Sequence, residues 1–197
     1  SGILGGHLVT AQTSAEGKLV NKVLISQDVY YPGESETEEF YVSVLLDRSS
    51  GKNIIIYSPE GGMDIEAVAE ETPHLIYTET IDTGVGLQGF QARRIAFNLG
   101  LTGMAYKQMS KFIFNLYDAY EGSDASMFEI NPVLKTSDNK IIAVDSKVSL
   151  DANALYRHPD YASMRDTSEE NPAELEADKI GLNYVKLYGN VGCMVNG

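Results

Sequence analysis

The sequence predicts an α+β fold, and three observations carry that expectation. Strand-type runs concentrate between Lys22 and Tyr57 and return between Met127 and Lys147. Two segments with helical spacing lie between them. No regular βαβ alternation joins the two kinds of element. Taken in order, Val23-Leu24-Ile25 is a short apolar run that reads as a strand, and Tyr30-Tyr31-Pro32-Gly33-Glu34-Ser35-Glu36 is a surface loop around a Pro-Gly dipeptide. Glu39 to Leu46 and Asn53 to Tyr57 are rich in aromatic and β-branched residues, with turn chemistry in Arg48-Ser49-Ser50-Gly51-Lys52 between them. Glu60-Gly61-Gly62 leads into a short helix through Ile65, Val68 and Ala69 that Pro73 closes. A second helix spans Gln88 to Leu99, with Gly100 after its end. Met109, Phe112, Ile113, Leu116, Tyr117 and Tyr120 form one apolar stripe that stops at Gly122. The polar, acidic stretch from His158 to Asp178 reads as a connector, with a domain boundary near residue 170. Beyond it, the run from Tyr184 reads as an apolar strand followed by a glycine turn. The expected division is thus 1–170 and 171–197.

Composition excludes several functions. The 197 residues carry 15 Lys+Arg against 28 Asp+Glu, a formal charge of −13. Such acidity argues against non-specific binding to nucleic acid or to an anionic membrane, both of which need a basic surface. An anionic substrate must therefore meet a local cluster of cations or a bound metal. The single Cys193 excludes an intramolecular disulfide, and with three histidines no Cys/His zinc site can be assembled. Cys193 reads as a buried small side chain, and His7, His74 and His158 as surface or helix-cap residues. No apolar run approaches the ~20 residues of a membrane span, and the chain reads as cytoplasmic. It starts without Met and stops where a helix is expected to follow the last apolar run, so it reads as part of a longer polypeptide.

The most informative region is Met127-Phe128-Glu129-Ile130-Asn131-Pro132-Val133-Leu134-Lys135 and its return Lys140-Ile141-Ile142-Ala143-Val144-Asp145-Ser146-Lys147. A three-residue loop at 137–139 makes a hairpin with Asn131 opposite Asp145 and Glu129 opposite Lys147. Alternation then places all four side chains on one face, opposed residues being roughly 4.5–5.5 Å apart at Cβ. Two carboxylates and an amide oxygen suit a hard cation such as Mg²⁺, which keeps waters and shares substrate phosphates. The same spacing also suits a solvated hairpin whose Glu129 and Lys147 form a cross-strand salt bridge.

Glu-Ile-Asn-Pro followed by Asp-x-Lys resembles the metal-binding hairpin of the ATP-grasp fold. Glu60-Gly61-Gly62-Met63-Asp64-Ile65-Glu66, Ala69-Glu70-Glu71-Thr72-Pro73-His74, Asn153-Ala154-Leu155-Tyr156-Arg157, Met164-Arg165-Asp166 and Gly192-Cys193-Met194-Val195-Asn196-Gly197 are similar, in order, to one family: the β subunit of ADP-forming succinyl-CoA synthetase. The resemblance runs over essentially the whole chain. It implies a partial ATP-grasp domain, a mixed or antiparallel sheet with helices, followed by the start of a flavodoxin-like α/β ligase domain. It also implies Asn131 and Asp145 as Mg²⁺ ligands, with Glu129 as a further metal or neighbouring group. Glu39 becomes the acid that contacts ATP or ADP through the ribose, and Ser26 to Val29 the stretch whose backbone reads the adenine edge. Asn196 would line the carboxylate-substrate site. Ser26 stands where the family often has an acid, and the loop from Tyr30 to Thr37 is longer here.

The implied reaction is succinate + CoA + ATP ⇌ succinyl-CoA + ADP + phosphate, shared with an α subunit that carries the phosphorylated histidine. The family's amino-terminal ATP-grasp segment and most of its ligase domain are absent from these residues, so the fragment alone is expected to be inactive. Another acid–CoA ligase, such as malate–CoA ligase, and a non-catalytic acidic cation-binding module are the rival readings.

Overall fold

The computed structural model describes residues 3–10, 13, 15–167, 170–187 and 189–195. The described residues build a six-stranded sheet from β3 (Glu38–Asp47), β4 (Lys52–Ser58), β5 (Tyr77–Ile81), β6 (Ala125–Lys135), β7 (Ile141–Ala143) and β8 (Ser146–Leu150), after a small ladder of β1 (His7–Leu8) and β2 (Lys18–Leu19). The spatial order is β5-β4-β3-β6-β7, with β8 also alongside β6, and every pairing is antiparallel. The long strands β3 and β6 are therefore central. Helices α1 (Ile65–Glu71), α2 (Gly89–Asn98) and α3 (Gly103–Gly122) follow the expected positions, and α4 (Pro159–Ser163) and α5 (Pro172–Lys179) lie in the stretch read as a connector.

One core lies between α2, α3 and a single face of the sheet. Alternation along β3 buries Phe40, Val42 and Val44 there, with Ile55 and Tyr57 of β4 and Ile130 and Val133 of β6 beside them. On α3, Met109, Ile113, Leu116, Tyr117 and Tyr120 meet that face, as their spacing requires. The two tyrosine hydroxyls keep polar partners by sharing the Asn53 side chain, each at 3.2 Å. Gln91 starts α2 by accepting from the Gln88 N–H at 3.0 Å while its own amide donates to the Thr80 carbonyl. Arg94 grips buried Glu79 with two N–H donors, at 2.6 and 2.5 Å. The β3–β4 turn closes on Asp47, which accepts from the amides and hydroxyls of Ser49 and Ser50. Those bonds, the Ser50 hydroxyl first, hold its carboxyl down at about 2.

Five expectations need correction. Val23-Leu24-Ile25 forms no strand; Leu24 is 95% and Ile25 90% exposed. A strand needs a neighbouring ladder and an apolar face, and no described element offers either to this run. The same holds for 182–187, where the apolar strand expected from Tyr184 is exposed irregular chain, and Cys193 is exposed rather than buried. The stretch 158–178 contains two helices, and Arg165 ties it together through Glu170 and Asp178. The return half of the hairpin is two strands, because it breaks at Val144 and Asp145.

Candidate functional site

The register read from the hairpin is present. Lys135 pairs with Ile141 and Val133 with Ala143; farther down, Ile130 pairs with Ser146 and Glu129 with Lys147. At the break between the two return strands, the Asn131 N–H donates to the Asp145 carbonyl at 3.3 Å. On the other side of β6 the pairing to β3 slips: Phe40 pairs with Val133 but Val42 with Ile130. Asn131 and Pro132, joined by a cis peptide bond, thus share the space opposite Tyr41. This is a bulge, the kind of place where a residue without an N–H fits a central strand and where a side chain is re-aimed.

The re-aimed side chain is that of Asn131. Its Oδ1 accepts from the Gly62 N–H at 2.8 Å and its Nδ2 donates to the Met63 carbonyl at 2.7 Å. Gly61 in turn donates its N–H to the Glu39 carbonyl at 3.2 Å. The glycines are required here. A Cβ on Gly61 would strike the backbone of Glu39 and Phe40, and one on Gly62, whose φ is +70°, would strike the Glu39 carboxylate. The Gly61–Met63 loop is therefore wedged between the start of β3 and the bulge of β6. It ends at Asp64, whose side chain caps α1 by accepting from the Glu66 N–H.

The sheet face opposite the core thus carries a cleft of ≈ 410 Å³ between this loop and Glu129, Asn131 and Lys147. Asp64, Glu66 and Glu129 are its acids and Lys147 its cation. The Asp64 carboxyl is held below its ordinary value, chiefly by hydrogen bonding with Glu66, side chain and backbone N–H, with the Lys147 charge adding to it. Tyr41 supports one of these acids: it is 4% exposed, and its hydroxyl donates to Glu129 Oε2 at 2.8 Å. Burial, reinforced by Glu129, raises this phenol well above its usual value, so it remains a donor.

The expected site residues are distributed unevenly. Glu129 and Asn131 line the cleft, and no ion pair joins Glu129 to Lys147 among the described residues. Asp145 stands across from Asn131 in the chain but is exposed, is not among the residues lining the cleft, and accepts from the Ser146 N–H at 2.8 Å. Glu39 reaches the other side of Gly62, where the Tyr30 hydroxyl donates to its Oε1 at 2.6 Å. Ser26 is exposed and Val29 half-buried in the irregular stretch before β3. Asn196 lies outside the described residues. Of the three histidines, His158 takes the helix-cap position expected as one alternative, as the N-cap residue of α4. Its ring nitrogen pairs with Asp124 at 2.8 Å and it stacks on Tyr161. Sequence reasoning missed Asp64 and Glu66 as cleft residues and Tyr41 as the partner of Glu129. The Gly-Gly followed by an Asp-x-Glu helix start was the available signal.

A family model of the ATP-grasp domain matches residues 1–135. The chain belongs to the ATP-grasp family. It is also 73% identical over 195 residues to the succinate–CoA ligase [ADP-forming] subunit beta of Flavobacterium johnsoniae, covering 99% of this chain and 49% of that one. The corresponding subunit of Christiangramia forsetii is 68% identical over 195 residues, again 99% of this chain and 49% of the relative. That of Chlorobium luteolum is 50% identical over 197 residues, 100% of this chain and 49% of the relative. The ATP-grasp chain thus spans about half the length of these relatives. Among solved structures, ATP citrate lyase from Methanothrix soehngenii, in complex with citrate and coenzyme A, shares the fold. It aligns with a TM-score of 0.53 at 21% identity, covering 73% of this chain and 32% of its own. No helix among the described residues is long and apolar enough to cross a membrane.

Proposed function

We propose that this chain is the Mg-nucleotide-holding part of the β subunit of an ADP-forming succinate–CoA ligase, in which succinate + CoA + ATP ⇌ succinyl-CoA + ADP + phosphate. One observation carries the reading: the β6 bulge gathers Glu39, Gly62 and Asn131 around a single loop beside an acidic cleft. Asn131 and Asp145 are the proposed metal ligands, with Glu129 as a further ligand or a neighbour that orders the shell. The donor types are those Mg²⁺ takes: the Asn131 amide oxygen and the Glu129 carboxylate line the cleft, while the Asp145 carboxylate stands outside that lining, at the break in the return strand. Such an ion completes a small set of protein oxygens with water and phosphate. Asn131 Oδ1 has spent only one of its two acceptor positions, on Gly62. When bound, the ion neutralises phosphate charge during phosphoryl transfer.

The chain's own groups bind and orient. The Glu39 carboxylate accepts from the ribose hydroxyls, and the backbone of Ser26 to Val29 reads the adenine edge. Tyr41 holds Glu129 by a hydrogen bond from its buried hydroxyl. Asn196 lines the carboxylate-substrate site, and residues 171–197 begin the ligase domain. The partner is the α subunit with its phosphorylated histidine, and the compartment is the cytoplasm.

The test is Asp145→Ala in the full-length subunit assembled with its partner. Nucleotide-dependent phosphorylation should be abolished while the thermal midpoint stays within a few degrees. Undiminished turnover removes Asp145 from the metal site. Calorimetry with Mg-ADP on the wild-type assembly and an acid-substrate profile complete it. No heat of binding means a non-catalytic acidic module, and turnover of malate in place of succinate means a different acid–CoA ligase.

A further inference from the structure

Glu39 is not free to choose its own orientation. One carboxylate oxygen accepts from the Tyr30 hydroxyl at 2.6 Å, and the other lies against Gly62, where a Cβ could not fit. The phenol is delivered by residues 30–37, which have no regular secondary structure yet are fastened to the tip of the β6–β7 hairpin. The Tyr31 hydroxyl donates to Asp138 at 2.9 Å. Ser35 donates to the Ser137 carbonyl from both its N–H, at 3.0 Å, and its hydroxyl, at 3.1 Å. Lys135, itself buried, donates to the Glu36 carbonyl at 2.9 Å and to Glu38 at 2.6 Å. Gly33 lies so close to Ser137 that any side chain there would collide with it. Thr136 and Ser137, polar residues at a hairpin tip, are consequently buried under this segment. A loop held at so many points behaves as part of the rigid scaffold.

We propose that Tyr30 is a positioning residue for the Glu39 carboxylate, and that residues 30–37 are a strap, anchored on the hairpin tip, which holds the phenol in place. The proposal rests on the reading of Glu39 as the acid that binds the nucleotide ribose. Its physical basis is preorganisation. A carboxylate already locked in one rotamer loses less freedom when a diol docks on it, and a hydrogen bond to a charged group is stronger than one between neutral groups. The strap also joins two parts of the site that are distant in sequence, because it runs from Glu39 to the hairpin that bears Asn131 and Asp145. Tyr30 keeps its proton for this role. The Glu39 hydrogen bond, with burial, pushes the phenol up to about 12.

The experiment uses the full-length subunit assembled with its partner, carrying Tyr30→Phe, Glu39→Gln or both, and reads Mg-ADP affinity by calorimetry with kcat and KM for ATP. Tyr30→Phe should weaken Mg-ADP binding and raise KM about tenfold, the scale of one hydrogen bond to a charged group, with kcat changed less than about twofold. The double variant should bind no more weakly than Glu39→Gln alone, because the phenol acts only through the acid. Asp138→Asn, which loosens the strap at Tyr31, should move KM in the same direction by a smaller factor. If Glu39→Gln weakens binding and Tyr30→Phe does not, the positioning role is overturned and the reading of Glu39 stands. If the two losses multiply in the double variant, Tyr30 does not act through Glu39 and the proposal fails. If Glu39→Gln leaves binding unchanged, the reading of Glu39 falls and takes this proposal with it.

Discussion

Ile130, in an alternating segment between Glu129 and Asn131, and Ile25, in the apolar run Val23-Leu24-Ile25, end in opposite environments, at 3% and 90% exposure. Ile130 has a ladder on both sides, β3 and β8, and a helix, α3, lying over its face. Ile25 has neither. Hydrophobicity supplies the tendency to be buried, but a strand exists only where another backbone satisfies its N–H and C=O groups and another element covers its side chains. The same rule separates the two faces of β6. On one face Phe128 and Ile130 pack toward α3, and on the other Glu129 and Asn131 meet a loop and a cleft. One strand thereby serves as core wall and as site wall.

This contrast can be broken by substitution. Ile113→Ala, in the fully buried α3 stripe, should cost about 2–5 kcal/mol in urea unfolding, whereas Leu24→Ala should stay within about 0.5 kcal/mol. Similar losses at both sites would mean that the segment around Leu24 is packed after all. On the polar face, Asn131→Ala removes both bonds to the Gly61–Met63 loop and should cost about 1–3 kcal/mol. Hydrogen exchange at the Gly62 N–H should quicken with it, and unchanged protection there would show that the loop holds without Asn131. The smallest effect concerns the β3–β4 turn. Because the Asp47 carboxyl titrates at about 2 in the fold, below its unfolded value, its contribution is present above the ordinary carboxylate range and fades as the pH falls toward 2. An NMR titration of the Asp47 side chain checks this, and Asp47→Asn should erase that part of the acid dependence.

Much of the layout was legible in order. The helix ends at Gln88 and Leu99, the turn at Arg48–Lys52 and the Glu129–Lys147 pairing all follow from residues close in sequence. The bulge at Asn131 was not legible, since it depends on β3 pairing across a separation of some ninety residues. Nor was the docking of Gly62 against the Asn131 amide, or the reach of Tyr30 to Glu39 through a loop whose own pattern says only that it is polar.

The sequence by itself therefore determined helices α1 to α3, which α3 residues face the core and the pairing of Glu129 with Lys147, because periodicity and turn chemistry act over a few residues. Tertiary structure alone decided whether an apolar run becomes a strand, where the amide of Asn131 points and what orients Glu39. Each of those outcomes requires a partner group brought from far along the chain, and such a partner leaves no local mark.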